Sequence, residues 1–575
     1  MTTSIVDAES VLVIDLGSIN TRAILFDIVD GQYHFISAGV VPSTANAPYR
    51  DVSEGIHLAV KKLQETTGRA LVDTDGRLVI PCQSDGSGVD RLAVTYSAGP
   101  QLRIVTAGLL ADVSLESARN LAASVHGKIV DSIGLNDHRR LEVQLDSILQ
   151  AEPDMIIMAG GTENGAGRSV LKMLELITLV CRMLPQEKRP AVIFAGNRAL
   201  AKKIKESLEK WTTIQIAPNI RPTIDSEDLG PAQEILAQAV TQIRNAQIGG
   251  LQSIGSISSL TPIPTGQAFG RIIRFLSQVY DPARGVLGVD VGSSSTIMAA
   301  AVAGKLKLNV FPFGVGSGAS QILQGCSIAD IVRWLPMHVP DAVVRDYLYQ
   351  KSLYPAMIPM TSETLSIEQS MARQSIRMAA QNILARWPSM SMSFEPILAS
   401  GAILSQTALS VQSLLMLLDG LQPVGITSFF LDQNGLIAGL GSVSQINSVL
   451  PVQVLESGAL LNLGTVISPI SQARYGTPIL QVRMEYEDGN ETRAEVRQGS
   501  IVSLPLRAGQ NAHIHINPLR RTIINPHGQR GGGSFKITGG VCGAVIDARG
   551  RPLILPPDAA RRRDLIKKWT IMLGG

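Results

Sequence analysis

Two segments lying 275 residues apart follow the same pattern, and they limit what this chain can fold into more than any other feature. In the first, the apolar run Val11-Leu12-Val13-Ile14 enters Asp15-Leu16-Gly17-Ser18-Ile19-Asn20-Thr21-Arg22 and leaves through a second apolar run at residues 23–28. In the second, Gly285-Val286-Leu287-Gly288-Val289 enters Asp290-Val291-Gly292-Ser293-Ser294-Ser295-Thr296, and another strand-like run follows at 297–302. Each reads as a β-hairpin whose tip carries an acid, a glycine and small hydroxyls. A glycine at such a turn lets backbone N–H groups come close to a phosphate, and the hydroxyls add donors. The preceding aspartate suits a hydrated Mg²⁺, or can orient a water, because hard cations prefer carboxylate oxygen and keep several waters. One such turn is common in any sheet. Two of them, at a spacing too long for a solenoid, predict homologous halves closing on one nucleotide.

Composition supports a folded α/β protein. The 575 residues are 45% hydrophobic and 17% charged, with 53 glycines, so ordering entropy can be offset and intrinsic disorder is excluded. At about 100–200 residues per domain the length allows roughly three to five domains. With 51 basic against 48 acidic residues, the net charge of +3 gives no global case for nucleic acid or an anionic membrane. Aromatics at 4% argue against base-stacking or sugar-stacking platforms. Cys82, Cys181, Cys326 and Cys542 lie too far apart for a CxxC metal motif and read as free thiols. The N-terminus lacks a signal-peptide pattern. The most apolar window, 414–431, is broken by Asp419, Gly420, Gln422 and Pro423, so no membrane span is expected and the setting reads as cytoplasmic.

The spacing of Ile56, Ala59, Val60 and Leu63 predicts a helix over 54–65. Strand-like runs follow at 102–108 and 154–158, with helical ones at 115–125 and 168–184. From about 153 to 245 the order of strand, glycine loop, helix, strand and helix predicts an inserted α/β unit with parallel strands. After about 465, short alternating strands such as 479–485 take over, punctuated by Gly489, Gly499 and Gly531 to Gly533. The expected domains are therefore 1–152 and 246–465, each with one hairpin, the insertion 153–245, and a separate mostly-β module at 466–575 ending in a basic helix.

Residues 15–21 and 290–296 resemble the phosphate-1 and phosphate-2 loops of the actin/Hsp70/sugar-kinase superfold. Several further motifs resemble the MutL family associated with adenosylcobalamin-dependent glutamate mutase, which is unrelated to the mismatch-repair protein of that name. They are Ser97-Ala98-Gly99-Pro100-Gln101, Gly160-Gly161-Thr162-Glu163-Asn164-Gly165, Ala195-Gly196-Asn197, Pro218-Asn219-Ile220-Arg221-Pro222 and the run 430–441. The likeness covers roughly 10–460. It implies a two-lobed ATPase superfold binding ATP and Mg²⁺, with Gly17, Ser18 and Thr21 on one side and Gly292, Ser293, Ser294 and Thr296 on the other. Gly401, in Ala399-Ser400-Gly401-Ala402-Ile403, would lie near the adenosine. Asp15 would hold Mg²⁺ through water and Asp290 would position the attacking water. The implied role is a chaperone-like accessory protein that assists or reactivates a B₁₂-dependent mutase, its partner, by exchanging damaged cobalamin.

Departures from the family pattern weigh on catalysis. Arg22 stands where a lysine is usual, Ser293 replaces a second glycine, and Ile297 replaces a closing acid. Phe313-Gly314-Val315-Gly316-Ser317-Gly318 stands in place of an acidic Glu-Gly-Asp turn. Whether ATP is hydrolysed stays open. The other readings are a non-catalytic scaffold whose cleft survives only as structure, and a small-molecule kinase of the same superfold. Glu163 would repel phosphate, so the 160–165 loop reads first as a structural turn. His513 and His515 share one strand face without a third metal ligand. In 545–575, seven basic residues face three acidic ones. That skew reads as a solvated helix face, or as a docking site for an acidic partner or RNA helped by Arg520, Arg521 and Arg530.

Overall fold

The computed structural model describes residues 9–163, 165–524 and 531–574. Asn164, Arg530 and residues 1–8 lie outside the described residues. The chain divides into two compact units. The first holds Met1–Phe269, Leu308–Pro312 and Ala438–Leu450, and the second Gly270–Lys307, Phe313–Ile437 and Pro451–Gly575.

In the first unit, Val11–Leu16 is buried along its whole length, as befits a central strand covered on both faces. It pairs antiparallel with Asn20–Val29 and parallel with Arg91–Tyr96. Gln32–Pro42 lies beyond the second strand, and Ile263–Pro264 pairs parallel beyond Arg91–Tyr96. The predicted helix forms over Ser53–Thr67 and buries Ile56, Ala59, Val60 and Leu63 as their spacing requires.

The second unit repeats this order. Val286–Val291 pairs antiparallel with Thr296–Val302 and parallel with Ile397–Ser400, which pairs parallel with Gly425–Leu431. A strand beginning at Lys305 lies outside Thr296–Val302. Counted along the chain, both sheets therefore run 3-2-1-4-5.

The inserted unit is larger than expected. Its five strands are all parallel, in the order Gly127–Ile133, Leu102–Ala107, Met155–Met158, Ala191–Phe194 and Ile214–Ile216. Two of them precede residue 153, because the almost fully buried strand Leu102–Ala107 needs a neighbour on each side to pair its backbone. Helix Gly167–Met183 packs Val170, Leu174, Ile177 and Val180 into this core.

The C-terminal segment is mostly β, but it does not stand apart. Leu461–Ser468 pairs with Gly425–Leu431, Ala544–Asp547 pairs with Leu461–Ser468, and Ile501–Leu504 closes the edge. Together they extend the second unit's sheet to eight strands. Glu491–Arg497, Pro478–Tyr486, Asn511–Pro518 and Gly533–Thr538 form a sheet of their own, and Ile470–Ser471 pairs with Thr522–Ile523 in a small second one. The expected basic tail helix is Ala559–Met572.

The charge skew of that tail changes meaning. Arg549, Asp547 and Arg551 lie inside, where Arg549 bonds Asp547 at 2.8 Å and Asp419 at 2.7 Å, and Arg551 bonds Asp547 at 2.8 Å. Arg373 completes the chain on Asp419 at 2.8 Å. What remains for a partner is the helix itself, with Arg561, Arg562, Arg563, Lys567 and Lys568 against Asp558 and Asp564.

Candidate functional site

The two hairpins close in the same way. The Gly17 amide donates to Asn20 O at 2.9 Å, and the Gly292 amide to Ser295 O at 2.9 Å. These two N–H groups hold the turn, and so they are spent before any ligand arrives. What each tip can offer is the amides that follow. Ser18 O accepts from Asn46 Nδ2 at 2.8 Å and Ile19 O from the Ser43 amide at 2.7 Å, holding the first tip from behind. In the second, Gly292 O accepts from Val315 N at 3.0 Å, and Ser293 O accepts from Gly316 N at 2.9 Å and Gly318 N at 3.0 Å.

Register decides which side chains reach the tips. Asp15 lies opposite Arg22 and Leu16 opposite Thr21; Asp290 lies opposite Ile297 and Val291 opposite Thr296. Directly paired residues share a face and successive ones alternate, so Thr21 and Thr296 point away from the face of their hairpin's aspartate. Both are fully buried. Thr296 Oγ1 donates to Phe313 O at 2.9 Å, whereas Thr21 Oγ1, facing Gly55, has no partner among the described residues. Neither hydroxyl is placed to meet a phosphate, contrary to the sequence expectation. Thr21→Val is therefore expected to leave stability unchanged or slightly raised. Thr296→Val should cost about 1 kcal/mol, because it removes a buried hydrogen bond. Urea unfolding of both variants checks the contrast.

The aspartates differ too. Asp15 is 7% exposed. Its Oδ1 accepts from Thr95 Oγ1 at 2.7 Å and Thr265 Oγ1 at 3.2 Å, and its Oδ2 from Arg22 Nη1 at 3.2 Å. A carboxylate with an arginine on one oxygen and two hydroxyls on the other is poorly suited to hold a hydrated Mg²⁺. Asp290 has Ile297 and Ser400 as register neighbours.

Gly401 joins the second hairpin. Its φ is +110°, and a Cβ there would lie 2.2 Å from Val291 O, one residue before Gly292. Ser18, Ser293 and Ser294 sit at the tips, half-buried. Ser317 and the glycines of 314–318 are the part whose role the sequence did not give. That stretch stood out only as a missing acidic turn.

The insertion motifs meet one another instead. Asn197 N donates to Gly160 O at 3.0 Å, Asn219 Nδ2 to Glu163 Oε1 at 2.8 Å, and Glu163 N to Pro222 O at 3.0 Å. They tie three loops into one knot, in line with the structural reading of the 160–165 turn. His515 Nε2 and Glu485 Oε2 lie 3.1 Å apart, and no group of three or more His, Cys, Asp or Glu among the described residues is arranged for a metal. No helix among the described residues is long and apolar enough to cross a membrane.

A 3-2-1-4-5 sheet occurring twice, each time with an aspartate next to last in the first strand and a glycine turn after it, defines a protein of the actin-like ATPase superfold. Residues 11–458 match the family model described as MutL protein, and the chain belongs to that family, the glutamate-mutase-associated one. No curated protein sequence matches it. Among solved structures it is similar to nucleotide-free acetone carboxylase, at 12% identity and a TM-score of 0.33, over 85% of this chain and 81% of that one. It is also similar to nucleotide-free diol dehydratase-reactivating factor, at 11% and 0.30, over 78% and 99%. Component A of (R)-2-hydroxyglutaryl-CoA dehydratase from Acidaminococcus fermentans matches at 8% and 0.25, over 78% and 99%. Likenesses this distant add nothing to the topology above.

Proposed function

We propose that the chain is a nucleotide-binding accessory protein that serves a B₁₂-dependent carbon-skeleton mutase, with ATP and Mg²⁺ as its ligands. The observation that carries nucleotide binding is the second hairpin. The amides of Ser293, Ser294 and Ser295 donate to no acceptor among the described residues, while the carbonyls behind the first two are held by the glycine loop. Consecutive outward amides form a concavity that favours an anion. Asp290, on the strand entering that same hairpin, is the residue we assign to hold hydrated Mg²⁺, which would neutralise phosphate charge when bound. The mutase partnership rests on family membership.

Calorimetry with ATP tests the reading. The wild type is expected to bind ATP in a Mg²⁺-dependent way, and Asp290→Asn to weaken that binding about tenfold or more. Asp15→Asn is the second arm, and the larger loss of Mg²⁺ dependence identifies the aspartate that faces the ion. Absence of ATP binding in the wild type would sink the proposal, and a larger effect at Asp15 would return the metal to that residue. The partner is tested by adding protein and ATP to an inactivated B₁₂ mutase, where recovered activity is expected.

The Arg22–Asp15 pair favours one alternative, a scaffold that binds its partner without turning over nucleotide. Equal capture of the mutase with and without ATP would support it.

A further inference from the structure

The loop 313–318 has no part in the nucleotide reading beyond standing behind the second hairpin, yet its geometry is tightly prescribed. A Cβ at Gly314 would lie 2.5 Å from Gly292 O and 2.6 Å from Ser293 O. At Gly318 it would lie 2.5 Å from Ser294 O. At Gly316 it would lie 2.1 Å from Ser293 Oγ and 2.9 Å from Ser293 Cβ. All three glycines are buried, and their spacing of two puts them along one edge of the loop, against the backbone of the turn.

We infer that Gly314, Gly316 and Gly318 are positioning residues for an anion cradle in the second hairpin, with Ser293 seated on Gly316. In a trans peptide the N–H points opposite to the preceding C=O. Holding Gly292 O and Ser293 O toward the glycine loop therefore turns the Ser293 and Ser294 amides the other way. Ser294 O, close to Gly318, does the same for the Ser295 amide. The Ser293 side chain adds a lock, since its Oγ accepts from the Ser317 amide at 3.1 Å. The three released amides suit the oxygens of a phosphate chain, and this inference rests on the nucleotide reading of the same hairpin.

A steric swap tests this in the full chain, with inorganic tripolyphosphate as probe and calorimetry as readout. Gly316→Ala drives a methyl into Ser293 and is expected to weaken tripolyphosphate binding about tenfold or more, the scale of losing well-aligned hydrogen bonds to a charged group. Ser293→Gly/Gly316→Ala removes the obstructing side chain, together with its bond to the Ser317 amide, and should recover most of the affinity that Gly316→Ala loses, a rescue that loss of stability alone would not give. Gly420→Ala crowds Ile376 with a Cβ 2.6 Å away elsewhere in the same unit. It should lower the unfolding midpoint without moving the affinity. Unchanged affinity in a folded Gly316→Ala overturns the positioning role alone. A folded double variant that does not recover binding overturns it as well. If the wild type does not bind tripolyphosphate, the nucleotide reading falls and the cradle with it.

Discussion

Arg549→Met is expected to destabilise the second unit by about 3–5 kcal/mol, the scale for removing one partner of a buried ion pair. Urea unfolding monitored by tryptophan fluorescence measures it, because Trp569 lies under the guanidinium at 4.9 Å. Asp547 and the Arg549 side chain are fully buried, and methionine would leave Asp547 and Asp419 each without its bond to that arginine. Burial alone would raise the Asp547 carboxyl, but the charges of Arg549 and Arg551 outweigh it and hold the group well below the usual carboxylate range. A carboxyl whose pKa is lower in the folded state stabilises above its unfolded pKa, and that contribution is lost as pH falls through the range below about 4. In Arg549→Met the lowering is weaker, so the acid-dependent part of the stability should shrink. An unfolding midpoint within error of the wild type at neutral pH would show the network to be energetically idle.

Gly401→Ala should cost about 3 kcal/mol or more and weaken tripolyphosphate binding as well. Two effects combine. A φ of +110° is a conformation that L side chains rarely adopt, worth about 1–3 kcal/mol by itself. In addition, the new methyl would lie 2.2 Å from Val291 O, a backbone atom that cannot rotate out of the way. Relief by shifting Val291 moves Gly292 and the turn after it. Stability and affinity should therefore fall together, unlike in Gly420→Ala. A destabilised variant with intact tripolyphosphate affinity would show that Gly401 serves the fold and not the cradle.

The hairpins were legible in the sequence because their signals are local: apolar runs, an acid, a glycine and hydroxyls within about eight residues. The helix Ser53–Thr67 was legible for the same reason, its buried positions recurring at helical spacing. Alternation along the strand, applied once the register was known, removed Thr21 and Thr296 from the tips. Composition near Asp15 did not reveal that its neighbours across the sheet are Thr95 and Thr265, 80 and 250 residues away. The glycine loop was visible as an oddity, but its meaning lies in backbone contacts with a turn some 20 residues earlier, which no local pattern encodes. The basic tail misled because a charge count cannot separate Arg549, sealed in an ion-pair network, from Arg561 on an exposed helix.

The late strand Ala544–Asp547 has a consequence for how this protein is made. It lies between Leu461–Ser468 and Ile501–Leu504, and Arg549 just after it pairs with Asp419 on a helix completed more than a hundred residues earlier. A ribosome must therefore pass residue 551 before the second sheet can close. Until then Leu461–Ser468 presents an open edge to the cell and Asp419 lacks one of its arginines. The first unit's sheet takes no strand from beyond residue 264, although that unit also waits for residues 308–312 and 438–450, whose Asn447 bonds Tyr33.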